Sequence, residues 1–366
     1  MKIEHCAPDY IQSISPYVPG KPIGDLAREF GLDEASIIKL ASNENPLGPS
    51  PKVIAAITHA AAELTRYPDG AGFDLKAILA TRLRLKTEQI VLGNGSNDIL
   101  ELLAHVFLRP GVSAVFAQHS FAVYPLATQA FGATCIEVPA RDFGHDLDAM
   151  RAAIRTDTRL VWLANPNNPT GTWIAAPAIR KFVESVPDNV VVVLDEAYNE
   201  YLPAELKADS ASWLAEFPNL VISRTFSKAY GLAALRIGYG LMGAGIAAML
   251  NRVRQPFNVN ALAQAAAIAA LDDQQYVDQS CAANRAGMRQ LENGFKQLGV
   301  DFIPSFGNFI AVKVGDAARV NLALLKKGII VRPVANYGMP EFLRITIGTE
   351  AENARFLVAL GDALRG

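Results

Sequence analysis

Arg159–Ala164, Val190–Leu194 and Leu220–Ser223 are short, continuous apolar runs in the middle of the chain. A strand with one wet face alternates apolar and polar residues. A run without alternation is the pattern of a strand buried on both faces. Further short strands are expected at Gln89–Leu92, Ala114–Ala117 and Thr134–Val138, with helical segments such as Asp74–Leu85 and Asp98–Phe107 among them. Buried strands that alternate with helices predict an α/β fold, with a mostly parallel central sheet covered by helices on both sides.

The chain has 366 residues, above the roughly 250–300 at which a single core stops growing. After Gly240 the texture changes. Long helices, Ala261–Leu271 and Gln275–Gln297, precede short strands at Phe309–Val314, Ile329–Pro333 and Phe342–Ile347, and a last helix spans Glu350–Leu364. This is the pattern of a smaller α+β domain. The first forty residues mix Pro8, Pro16, Pro19 and Pro22 with one helical piece, Ile23–Phe30, and read as a wrapping arm. The expected division is an arm with part of the small domain over 1–42, a large domain over 43–255, and a small domain over 256–366.

Charge and cysteine content narrow the function classes. The formal net charge is −2, without a lysine- or arginine-rich tract, so neither nucleic acid nor an anionic membrane has an electrostatic footprint here. Cys6, Cys135 and Cys281 form no disulfide or zinc pattern, which fits a reducing compartment. The most apolar stretch, Ala261–Leu271, is too short for a membrane span of ~20 residues. A soluble cytoplasmic protein is expected.

Four segments carry candidate chemistry, and each follows a strand, where ligands of open α/β sheets bind. Gly93-Asn94-Gly95-Ser96-Asn97-Asp98 opens a helix. Its glycines allow close backbone approach, and free amides at a helix start attract an anion. The third glycine of a dinucleotide fingerprint and the lysine of a P-loop are missing, so a lone phosphate fits better. An ordinary capped turn is the competing reading. Asn165-Pro166-Asn167-Asn168-Pro169-Thr170-Gly171 is a proline-fixed turn that aims an Asn amide from the sheet edge. Asp195-Glu196-Ala197-Tyr198 ends a fully apolar strand. A carboxylate there needs a partner, because an unpaired buried charge is costly. A protonated ring nitrogen suits it, and a metal is disfavoured because no histidine is near. Ser223-Arg224-Thr225-Phe226-Ser227-Lys228 places a lysine beside hydroxyls, with Arg236 following. Its neighbours can lower its pKa and make it a nucleophile, whereas most lysines are simply solvated.

Together and in this order, the four segments resemble the fold-type I pyridoxal-5′-phosphate (PLP) enzymes. The resemblance is to the class I/II aminotransferases, and most closely to the histidinol-phosphate aminotransferase family. It extends to Asn43–Pro46, Tyr67-Pro68-Asp69-Gly70 and Phe342–Gly348. The resemblance implies that Lys228 carries PLP as a Schiff base and shuttles the proton between Cα and C4′. Asp195 would pair with the pyridinium nitrogen, and Tyr198 and Asn168 with the phenolic oxygen. Ser96, Asn97, Thr225, Ser227 and Arg236 would hold the cofactor phosphate. Phe121 stands where the family usually has a stacking tyrosine, so a hydroxyl is lost there. Tyr67 would reach the phosphate of a neighbouring subunit, which implies a homodimer. Arg344 would bind the substrate carboxylate, and Tyr17 and Arg332 would help it with a phosphate in the same place. Arg344 also stands on its own among Phe342, Leu343, Ile345 and Ile347, where an arginine wants a bidentate anion.

The implied reaction is ping-pong transamination between small amino and keto acids. Within the same motif set stand two other activities. One is transamination of aromatic amino acids or prephenate, and the other is PLP-dependent phosphothreonine decarboxylation. A non-catalytic regulator with this fold would lack a use for both Lys228 and Asp195.

Overall fold

The computed structural model describes residues 3–365. Seven strands form the central sheet, in the order Ile90–Gly93, Gly238–Met242, Leu220–Thr225, Val191–Asp195, Thr158–Ala164, Ser113–Ala117 and Thr134–Val138. Four neighbouring pairs are parallel, and only Gly238–Met242 runs against its neighbours. The three apolar runs are the central strands, with Leu160, Val192 and Leu220 fully buried. One face packs on a cluster that includes Val161, Val192 and Ile222; the other packs on one with Trp162, Val193 and Val221. This is the period-two division of a strand covered on both sides.

Gly238–Met242 was not expected as a strand, because Gly238 and Gly240 interrupt its apolar pattern. The packing explains both glycines. A Cβ on Gly238 would lie 2.5 Å from the Ser96 amide nitrogen, and one on Gly240 2.9 Å from Ile99. The helix Ser96–Phe107 therefore sits directly on this strand.

The smaller part contains a four-stranded antiparallel sheet, ordered Arg332–Pro333, Phe342–Thr346, Phe309–Lys313 and Phe302–Ile303. It has its own core around Phe295, Ile310, Leu343 and Phe356. Ile38–Lys39 pairs in parallel with Ile329–Ile330, which ties the N-terminal segment to this part. One grouping differs from expectation. In the helix Ala261–Leu271, Ala263, Ala266, Ala267 and Ala270 lie in the core of the large sheet, against Val53 and Leu79. Its small side chains admit the neighbouring helix Pro51–Ala60 closely, and texture alone grouped it with the helices that follow. Among the described residues, no helix is long and apolar enough to cross a membrane.

Candidate active site

The expected site residues converge on one cavity of about 190 Å³, where the strand ends of the large sheet meet the small part. Lys228, Asp195, Tyr198, Ser96, Asn97, Phe121, Asn168, Thr225, Ser227, Arg236, Tyr17, Arg332 and Arg344 all line it. Tyr67 does not. It is 83 % exposed and stacks on Phe257, with ring centroids 4.8 Å apart.

Asp195 closes its strand and is buried. Its Oδ2 accepts from the Tyr124 hydroxyl at 2.9 Å and its Oδ1 from the Ala197 amide at 3.2 Å. Burial pushes its carboxyl up to about 6, against those two bonds. Lys228 follows the strand Leu220–Thr225. Its Nζ donates to the Ser42 carbonyl at 3.3 Å and lies 5.8 Å from the Tyr198 ring centroid. Burial, helped by the Arg344 charge, lowers its amine to about 8. The Tyr198 hydroxyl accepts from Asn43 Nδ2 at 2.9 Å, and burial raises it to about 12.

At another wall, Gly95 precedes the helix Ser96–Phe107 with φ 85° and offers no capping side chain. A Cβ there would lie 2.3 Å from Arg236 Nη2. Arg236 donates to Ser227 Oγ at 3.3 Å, and Thr225 Oγ1 accepts from the Ser227 amide at 3.1 Å. A helix start, hydroxyls and a guanidinium thus share one cradle, the donor set of an anion site.

Arg332 and Arg344 stand directly opposite each other across an antiparallel pair, and each is only 6 % exposed. Like charges so placed repel, yet neither makes a salt bridge among the described residues. Arg344 donates to the Asn168 side chain and the Ala41 carbonyl, and its buried Nε has no partner among the described residues. Arg332 donates to the Val18 carbonyl at 2.7 Å and stacks on Tyr17. The cavity wall carries four cationic side chains and one carboxylate, so it is built for anions. Among the described residues, no acidic or thiol cluster could hold a metal.

Three contributors had no role assigned from the sequence. Asn43 holds the Tyr198 hydroxyl from 155 positions away. Tyr124, fully buried and stacked on Trp162 at 5.4 Å, holds Asp195. Tyr337 lines the cavity beside the two arginines. Asn43 had a signal in the Asn43–Pro46 segment, and Tyr124 in being the second aromatic of Phe121-Ala122-Val123-Tyr124.

A strand-end lysine, a buried carboxylate and an anion cradle on this sheet define the class: the chain belongs to the aminotransferase class I and II family, whose profile matches residues 35–360. Within that class its place is among the histidinol-phosphate aminotransferases. It is 60 % identical to histidinol-phosphate aminotransferase 1 of Thiobacillus denitrificans, over 98 % of this chain and 93 % of the relative. It is 62 % identical to histidinol-phosphate aminotransferase 2 of Pseudomonas fluorescens, over 97 % and 96 %. The crystal structure of histidinol-phosphate aminotransferase from Sinorhizobium meliloti in complex with pyridoxal-5′-phosphate superimposes with a TM-score of 0.90 at 31 % identity, over 97 % of this chain and 96 % of that one.

Proposed function

We propose that this chain is a PLP-dependent transaminase that converts histidinol phosphate and 2-oxoglutarate to imidazole acetol phosphate and glutamate, a step of histidine biosynthesis. The observation that carries the substrate assignment is the buried Arg332–Arg344 pair without a counter-charge among the described residues. A phosphate on the substrate answers both guanidiniums at once, and a carboxylate of glutamate can take the same place in the other half of the reaction.

The residues fit the cofactor by their donor chemistry. Asp195 is a buried carboxylate whose partners are a phenol and an amide, not a cation, which suits a ring N–H. Tyr198 and Asn168 suit the ring oxygen. Ser96, Asn97, Thr225, Ser227 and Arg236 suit the phosphate, and Phe121 offers a ring face. When bound, PLP supplies an electron sink for the pair released as the substrate Cα loses its proton. Asp195 keeps the proton on the ring nitrogen. Lys228 anchors the cofactor. Its amine, already lowered to about 8, is the base that takes the Cα proton and returns it. Arg344 fixes the substrate so that this proton faces Nζ.

The cradle makes one prediction. Gly95→Ala sets a methyl 2.3 Å from Arg236 Nη2, at a φ of 85°. Displacing that guanidinium weakens PLP binding about tenfold to a hundredfold, measured by titrating the cofactor-free protein with PLP.

The active unit in this reading is a homodimer in the cytoplasm. Tyr67 lies away from its own cavity; Leu64 and Phe73, near it in the sequence, and Phe257, stacked on it, are exposed as well. If Tyr67 acts in the neighbouring site, Lys228→Ala and Tyr67→Ala subunits complement each other. A mixed dimer has one site with both residues and one with neither. Mixing the two weak variants then recovers up to about half the wild-type rate per dimer. Activity that stays at the sum of the two variants overturns the arrangement in trans.

The substrate assignment is tested by comparing kcat/KM for histidinol phosphate, phenylalanine and tyrosine with 2-oxoglutarate as acceptor. A preference for the aromatic amino acids overturns it.

A further inference from the structure

Tyr337 has no role in the scheme above, yet it stands inside the site. It ends the short turn Ala335–Tyr337, between the two strands that carry Arg332 and Arg344. It is 7 % exposed and lines the cavity with both arginines and Tyr17. A larger cavity of about 890 Å³ under arm residues 13–21 adjoins the first, and Tyr17, Arg332 and Tyr337 belong to both walls. Tyr337 is also held firmly. Its carbonyl accepts from His119 Nδ1, and Gly338 turns the chain behind it with φ 72°. Its ring packs with Val334, Met339 and Phe342. Burial raises the pKa of its phenol, against the nearby Arg344 and Arg332 charges. A phenol that stays protonated has an O–H to donate into the cavity it lines.

The site must hold two different anions in one place. A carboxylate presents two oxygens in a plane, and one guanidinium can satisfy it bidentately. A phosphate monoester presents three terminal oxygens in a tetrahedral arrangement and more charge. It needs donors from more than one direction. From these observations we infer that Tyr337 is a specificity-determining residue whose hydroxyl donates to the phosphate of the substrate and not to the carboxylate of glutamate. The inference rests on the substrate reading given above and adds a donor to it.

Tyr337→Phe removes the hydroxyl and keeps the ring. The two half-reactions are followed separately on the PLP holoenzyme by the absorbance of the cofactor. The variant is expected to lose about tenfold to a hundredfold in kcat/KM for histidinol phosphate, the range for a hydrogen bond to a charged group, and less than about threefold for glutamate. Inorganic phosphate, used as a competitive inhibitor of the glutamate half-reaction, is expected to bind the variant about tenfold more weakly. Equal losses with both substrates, or loss of the cofactor absorbance, reveal a packing role and overturn the inference, as does an unchanged phosphate inhibition constant. If the wild type itself prefers phenylalanine to histidinol phosphate, the substrate reading fails. The inorganic phosphate measurement still decides whether the hydroxyl is an anion donor.

Discussion

Lys228→Ala lowers kcat for histidinol phosphate by roughly 10⁴-fold, the upper end for a positioned acid–base group. The size follows from two losses at one atom. Nζ is both the anchor proposed for the cofactor and the base proposed for the Cα proton, and its hydrogen-bond partner, the Ser42 carbonyl, cannot replace it. A residual rate within tenfold of wild type sinks the assignment. The stability of the cofactor-free protein moves in the opposite direction. The lysine pKa is lowered on folding, to about 8 from 10.5. Below pH 8 both states are protonated and the burial penalty, roughly 3 kcal/mol, is fully present. Between pH 8 and 10.5 the unfolded chain binds the extra proton, so this group makes stability rise with pH. Lys228→Met removes the penalty. The cofactor-free variant is therefore about 1–3 kcal/mol more stable at pH 7 and lacks this rise. Thermal unfolding at pH 7 and pH 10 measures both.

Asp195→Asn is the second large effect. It preserves shape and lets Tyr124 keep an acceptor, but removes the charge that would hold the ring-nitrogen proton. Breaking a buried ion pair from one side costs about 3–5 kcal/mol, so kcat falls about 10²–10⁴-fold. A loss smaller than tenfold would show that the ring nitrogen has another partner. The sign of the pH effect is opposite to that of the lysine. The folded pKa of Asp195 is raised from 3.8 to about 6, so the fold favours the neutral acid. That contribution is complete below pH 3.8 and is lost as pH rises through 6. Above pH 6 the cofactor-free Asp195→Asn variant is therefore roughly 1–3 kcal/mol more stable than wild type, and below pH 4 the two converge. Both substitutions trade activity for stability at positions where the site holds groups the fold alone does not favour.

The central sheet was legible because Leu160, Val192 and Leu220 carry no polar interruption, and burial on both faces writes itself as such runs. The residues proposed to hold the cofactor could be picked out because Asp195, Lys228 and the Gly93–Asn97 segment follow strand ends. Gly238–Met242 was hidden because its glycines answer to the helix above it, not to strand propensity. The roles of Asn43 and Tyr337 were hidden for a different reason. The partner of Asn43, Tyr198, lies 155 positions away, and no local periodicity records a contact across the fold; Tyr337 sits between the two arginines in the chain, but only the folded structure shows that all three line one cavity. The helix Ala261–Leu271 shows that alanine content reports burial without saying against what. Its mate, Pro51–Ala60, lies about two hundred residues upstream.

The opposed guanidiniums of Arg332 and Arg344 also matter at the bench. An enzyme with two buried positive charges and no counter-charge beside them gains stability from any small anion that occupies the gap. By mass action, an anion at a hundred times its dissociation constant adds about 2.7 kcal/mol. Sodium phosphate as a storage buffer should thus lengthen the shelf life of the purified protein relative to a zwitterionic buffer of equal ionic strength. The same ion occupies the place the substrate needs, so Michaelis constants measured in phosphate would understate the affinity for the natural ligand.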